Sequence, residues 1–195
     1  MTESQARIPL LSESELDPAA AEVLDRLRGM GNGRILHIFA ALAHHPDLLR
    51  RWLVFGNHVM GKSTLSPRER ELVILRVGWL CAAEYEWSQH VVIARATGLG
   101  EDEIRRVADG PQAPGWSPRE AALLRGVDEL VRTRDLADET FEALRKHLDV
   151  PELLDTIFAV GQYVLVSTVL RALRIPLDPG LGGFEETVGR RPPGR

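Results

Sequence analysis

SPRERELVILRVGWLCAAEYEWSQHVVIARATG, residues 66–98, decides the fold. Ser66-Pro67-Arg68-Glu69 is a capping box with proline in the first turn. It opens a helix over 68–82 that is apolar on nearly every side, so that helix belongs in the core. EYEWSQHVVIARATG follows as a second helix and stops at Gly98. Two consecutive helices with a short connection are expected to pack antiparallel.

Outward from this hairpin the pattern stays helical. DPAAAEVLDRLR offers Asp17 as N-cap, Pro18 at the first helical position and Gly29 as a stop. RILHIFAALAHH is a short apolar helix ended by Pro46, and PDLLRRWLVFGNHVM follows it. Downstream come the short helix EDEIRRVA and a loop over 111–115. Ser117-Pro118-Arg119-Glu120 then repeats the capping box and starts a helix to about Arg134. DETFEALRKHL and PELLDTIFAVGQYVLVSTVLRAL complete the set. The β-branched residues fall in helical spacings, so no sheet is expected. The two SPRE starts lie 51 residues apart, which invites a reading as two related helical halves with Glu71 aligned to Ala122. The sequence thus predicts an all-α single domain over 1–175. From 176 to 195 the chain is rich in Pro, Gly and Arg and is expected to be an extended or disordered tail.

The totals set limits on function. A chain of 195 residues suggests one domain, and 44% hydrophobic with 27% charged residues is an ordinary globular balance. A net charge of −4 gives no nucleic-acid footprint. No window approaches the ~20 apolar residues of a membrane span, so no membrane partner is expected. The N-terminus, MTESQARIPLLSESELD, is polar and acidic and lacks a signal pattern. Cys81 is the single cysteine, which excludes an internal disulfide and suits the cytoplasm.

Chemistry concentrates in EYEWSQH, residues 84–90. Ala83, Glu86 and His90 share one helix face. A carboxylate four residues from a histidine raises its pKa and orients it, which suits a general acid or base. The plain alternative is a first-turn glutamate favoured by the helix dipole. Glu71 lies on the apolar helix, where a carboxylate is costly without a partner. Across an antiparallel hairpin it could face His90 and Glu86; otherwise it pairs with Arg76 or a neighbouring subunit. If it is an active-site carboxylate, its neutralisation is expected to leave stability near wild type or slightly raised. Trp87, one turn from His90, is placed at a substrate-pocket wall, and His58 is expected to point into the same pocket. Cys81 reads as a small core residue.

Two motifs are set aside. GNHVMGKS, residues 56–63, fits the phosphate-loop pattern in letters but follows a helix rather than a strand, so Gly61 reads as a helix end. His44-His45-Pro46 reads as a helix end and turn, and no metal or cofactor is assigned.

The stretch STLSPRERELVILRVGWLCAAEYEWSQHVVIARATGLGEDEI, with LAHHPDLLRRW upstream and GWSPREAALLRGVDELV downstream, closely resembles the carboxymuconolactone decarboxylase family. That family also contains the alkyl hydroperoxidase D proteins, and the resemblance covers roughly residues 35–170. Its thiol-dependent members carry a glutamate, eleven residues, Cys-x-x-Cys, three residues, then a histidine. In this chain the glutamate is Glu71, the histidine is His90, and the cysteine positions hold Ala83 and Glu86. The resemblance therefore implies the alkyl hydroperoxidase D-like fold without the disulfide chemistry. It implies the cofactor-free decarboxylase branch, in which CO2 leaves a lactone acid through an enol or dienolate that is then protonated. His90 would be the donor, Glu86 its orienter and Glu71 a second base or relay. It also implies a homo-oligomer, a dimer, trimer or hexamer, acting on a small-molecule substrate. Two other functions stay open: a non-enzymatic helical binding or assembly protein, and a redox protein that uses Cys81 with an outside thiol.

Overall fold

A computed structural model describes residues 6–27 and 33–193. The helix stop expected at Gly29 lies outside the described residues. Ten α-helices follow in order: α1 Pro18–Asp25, α2 His37–Leu42, α3 Pro46–Gly61, α4 Pro67–Leu80, α5 Glu84–Ala96, α6 Glu101–Asp109, α7 Pro118–Thr133, α8 Asp138–Arg145, α9 Val150–Leu173 and α10 Phe184–Val188. There is no strand among the described residues. The phosphate-loop look-alike lies on the last turns of α3, as its sequence context requires.

α4 is the central helix. Ser66 and Glu69 close its capping box, and every residue from Glu71 to Trp79 is buried. It ends at Leu80, two residues short of the expected end, because Ala82 takes a left-handed conformation with φ 50° that reverses the chain. Gly78 then lets α5 approach closely: a Cβ there would lie 3.4 Å from the Trp87 backbone nitrogen. α5 packs back along α4, as the hairpin predicts.

Three apolar clusters surround this hairpin. One joins α4 to α7, α8 and α9. A second gathers α1, α2 and α3 against the C-terminal half of α9. The third packs the opposite side of α4 on α5, α6 and α10.

The two SPRE boxes meet. Arg68 Nε donates to Glu120 Oε1 at 3.0 Å, and reciprocally Arg119 Nε donates to Glu69. Each arginine also holds an N3 glutamate that accepts from the N-cap amide of its own helix, Arg68 to Glu103 on α6 and Arg119 to Glu152 on α9. The halves α4–α6 and α7–α9 thus exchange equivalent contacts, the pattern of a twofold relation between them.

Two expectations fail here. The segment after residue 175 is neither loose nor disordered as far as residue 193. Asp178 accepts hydrogen bonds from Tyr85, from Gln89 at 2.6 Å and from the His37 backbone at 2.9 Å. Phe184 buries itself between Trp79 and Trp87. Docking of this kind depends on long-range partners that composition does not show. The second failure concerns α9. By length and composition it is the one helix among the described residues long and apolar enough to cross a membrane. Half of its apolar window is buried inside the chain against α4 and its neighbours, as befits a core helix.

Candidate active site

A buried helix such as α4 tolerates Glu71 only if its charge is answered. Glu71 is fully buried. Arg70 Nε donates to its Oε1 at 3.2 Å, and His90 Nδ1 lies 2.6 Å from its Oε2. The partner is therefore His90 across the hairpin. Arg76 is taken elsewhere: it makes a two-pronged pair with Asp128 of α7 at 2.6 and 2.9 Å and caps the carbonyls of Val107 and Ala108.

The other ring nitrogen, His90 Nε2, lies 3.0 Å from Glu86 Oε1, one turn earlier on α5. His90 is thus held between two carboxylates, one from each helix of the hairpin. Burial of the ring opposes its charge, but Glu71 and then Glu86 outweigh it and push the imidazole up to about 10. At neutral pH the ring is held as an imidazolium that donates to Glu71 from Nδ1 and pairs with Glu86 at Nε2. Tyr163 of α9 stands edge-on to it, with ring centroids 5.0 Å apart and planes at 89°. Burial, and next the charges of Glu86 and Glu71, push the Tyr163 phenol well above its ordinary range, so it stays neutral. Its hydroxyl donates to the Met60 sulfur at 2.8 Å.

His90 and Glu86 face a cavity of about 110 Å³ between α3, α5 and α9. Its walls are mostly apolar, with Phe39, Trp52, Leu53, Met60, Ile93 and Val166 prominent. Gln89, Gln162, Tyr163 and Asn57 supply further polar edges, and no lysine or arginine is among the lining residues. Glu71 does not line the cavity; it supports His90 from behind. A larger cavity of about 1060 Å³ lies under the N-terminal arm, lined in part by Arg7, Arg171 and Arg174. None of Glu71, Glu86 or His90 lines it, whereas Glu86 and His90 line the smaller cavity.

Glu71, Glu86 and His90, the three candidate catalytic residues, come together. Trp87 and His58, the two candidate substrate contacts, do not. Trp87 is wholly buried on the far side of α5, against Trp79 and Phe184, and its Nε1 donates to Thr187 Oγ1 at 2.8 Å. Three residues along a helix leave it about 60° off the His90 direction, enough to put it on another wall. His58 is exposed and pairs with Asp155 at 3.2 Å, while its neighbours Asn57 and Met60 line the cavity. Tyr163 and Gln162 carried a sequence signal that went unread: they are an adjacent polar pair in the apolar middle of α9.

Among the described residues no group of three His, Cys, Asp or Glu side chains is arranged to hold a metal. His44 and His45 serve the backbone, His44 at the Pro9 carbonyl and His45 as the N-cap of α3. Cys81 caps the end of α4 and packs on the first apolar cluster, away from the cavity.

A buried acid–base triad on a helical hairpin, opening on a small apolar cavity, defines the class of site. Residues 46–129 match the model of the carboxymuconolactone decarboxylase family. The chain has the fold of an alkyl hydroperoxidase D core, an uncharacterized peroxidase-related protein from Ralstonia eutropha (TM-score 0.79, 20% identity, covering 96% of this chain and 98% of that one). A putative antioxidant defence protein AhpD from Agrobacterium tumefaciens aligns with TM-score 0.67 and 23% identity over 71% of this chain and 95% of its own. The debrominase Bmp8, as a C82A variant in complex with 2,3,4-tribromopyrrole, aligns with TM-score 0.74 and 12% identity over 90% and 95%. No curated protein matches the chain by sequence. Residues 46–129 are thus similar to the carboxymuconolactone decarboxylase family, and the chain shares the fold of alkyl hydroperoxidase D-like proteins.

Proposed function

We propose that this protein is a cofactor-free acid–base enzyme, a carboxy-lyase of the decarboxylase type, acting on a single-ring carboxylated or lactone metabolite. The observation that carries the reading is the imidazolium of His90, fixed by carboxylates at 2.6 and 3.0 Å on the wall of an apolar cavity.

The chemistry follows from the charges. A substrate in this cavity meets no lysine or arginine, which leaves His90 as the cation on the lining. When the carbon–carboxylate bond breaks and CO2 leaves, the bonding electron pair passes into an enolate. His90 is the cation beside that new charge, and preorganised charge of this kind is worth most in a dry site. One proton then passes from the His90–Glu86 pair to the substrate carbon, and solvent restores it. Glu86 faces the cavity and relays; Glu71 is a positioning residue that keeps His90 charged. This arrangement reverses the roles expected of the two glutamates.

Size supports a small ring. An apolar cavity of about 150 Å³ holds benzene, and this one measures about 110 Å³. Bmp8, which shares the fold, takes a one-ring ligand. A redox role for Cys81 has less support, because its position at the end of α4 is off the cavity. A homo-oligomer is proposed on a separate observation. Leu48 and Val54 of α3 and Leu154, Phe158 and Leu165 of α9 are large apolar side chains that stand half-exposed or more. A cytoplasmic location is proposed on composition, since a single cysteine suits a reducing compartment.

The test is CO2 release from a panel of single-ring lactone acids. Turnover by the wild type that His90→Gln lowers about 10² to 10⁴-fold supports the reading. No release from any member, or equal release by His90→Gln, overturns it.

A further inference from the structure

We infer that Gln162 is a specificity-determining residue of this cavity, selecting a ring that presents an N–H or O–H donor. The inference rests on the cavity being the ligand site, but not on which reaction takes place there.

Gln162 lies in the middle of α9 and is only 5% exposed. Its Oε1 is buried and has no hydrogen-bond partner among the described residues. A buried amide oxygen left in that state is costly, and folded proteins satisfy nearly all such atoms. Ser167 Oγ is in the same condition but does not line the cavity. Gln162 does.

The neighbouring polar groups are already committed. His90 is held by Glu71 and Glu86. The Tyr163 hydroxyl goes to Met60. Tyr85 and Gln89 both donate to Asp178. No lysine or arginine reaches the lining. Asn57 is the remaining amide on the lining, and it makes no hydrogen bond to Gln162 Oε1, so a donor carried by a ligand can meet that oxygen. α3 makes room for the amide at Gly56, where a Cβ would come within 3.7 Å of Gln162 Nε2.

Apolar walls accept many rings of one size, whereas a buried acceptor rejects a ring that offers it a lone pair instead of a proton. The substrate class narrows accordingly. The ring that fits carries a neutral hydroxyl, amide or pyrrole-type N–H in addition to the part that reacts at Glu86 and His90.

Pyrrole and furan test this directly. They have the same size and differ in presenting N–H or a ring oxygen. Dissociation constants are measured by ligand-observed NMR with the full chain. The expectation for wild type is pyrrole bound about tenfold more tightly than furan, the worth of one hydrogen bond to an otherwise unmet acceptor. Gln162→Met keeps the length of the side chain and removes the acceptor; the ratio should fall to about unity, mostly by loss of pyrrole affinity. Cys81→Ala, off the cavity, should leave the ratio standing. If Gln162→Met does not fold, phenol against fluorobenzene on wild type repeats the comparison, with phenol again preferred. Equal binding of pyrrole and furan by wild type, or a preference that survives Gln162→Met, overturns the inference. Failure of every ring to bind overturns the cavity as a ligand site, and the inference with it.

Discussion

Glu71→Gln removes one charge from the triad while keeping the shape of the group that holds His90. Glu71 is wholly buried, lies 2.6 Å from His90 Nδ1, and is the first of the influences that raise the His90 pKa. A hydrogen bond between charged groups contributes about 1.5–3 kcal/mol, and one pK unit corresponds to about 1.4 kcal/mol. His90 should therefore fall by roughly one to two units, from about 10 in wild type to about 8 or 9 in the variant. The sign for stability follows. A histidine whose folded pKa is raised stabilises the fold fully below its unfolded value, near 6.5, and that contribution is lost as pH rises through the folded value. Wild type should thus lose stability between pH 6.5 and about 10. Glu71→Gln should lose its share at lower pH and melt lower at pH 7. This prediction runs opposite to the expectation from sequence that neutralising Glu71 would be neutral or stabilising. Glu71 answers two cations, Arg70 and His90, so its removal leaves buried positive charge behind. The assay is NMR titration of the His90 Cε1–H resonance, assigned through His90→Gln, with thermal melts at pH 7 and 9. A wild-type His90 that titrates below pH 7, or a Glu71→Gln variant more stable than wild type at pH 7, would refute the reasoning.

Other outcomes are open to measurement. Glu103 and Glu152 are held below the usual carboxylate range chiefly by Arg68 and Arg119. For Glu69 and Glu120 burial opposes the shift, but the arginines and capping serines still leave both lowered. Their contribution is full above the unfolded carboxylate range and lost as pH falls through it, so acid melts of Arg119→Gln should show a weaker dependence below about pH 4.5 than wild type. Cys81→Ala should cost about 1 kcal/mol in chemical denaturation and leave turnover intact; loss of turnover with an unchanged fold would restore the thiol reading. Light scattering should give a mass above the 21.7 kDa of one chain, and Phe158→Glu on the exposed face should shift it downward.

Much of the architecture was legible because it is local. The capping boxes at Ser66 and Ser117 fix two helix starts, and the run of apolar residues from Leu72 to Leu80, broken by Arg76, declares α4 a core helix. The meeting of Glu71 with His90 follows from an antiparallel hairpin, and Glu86 from helical spacing. What was missed is set by distant chain. Nothing near Arg76 announces Asp128, which arrives on α7 52 residues later. Trp87 was misplaced because helical spacing gives an approximate face, while the partner on each side comes from elsewhere in the fold. His58 was misplaced for the same reason, since Asp155 of α9 draws it outward. The segment after residue 175 looked loose by composition, yet Asp178 and Phe184 find partners on α4 and α5. Gln162 and Tyr163 become meaningful once α3 and α5 close the cavity around them.

The central claim is that His90, charged between Glu71 and Glu86, does the chemistry without a cofactor. The most direct measurement is kcat for CO2 release by chelator-treated, dialysed protein, wild type against His90→Gln, on whichever single-ring acid turns over. The account predicts full wild-type turnover without added metal or thiol, and a fall of about 10² to 10⁴-fold in His90→Gln assayed well below its own melting temperature. Turnover that requires an added metal or thiol, or that survives His90→Gln, would contradict it.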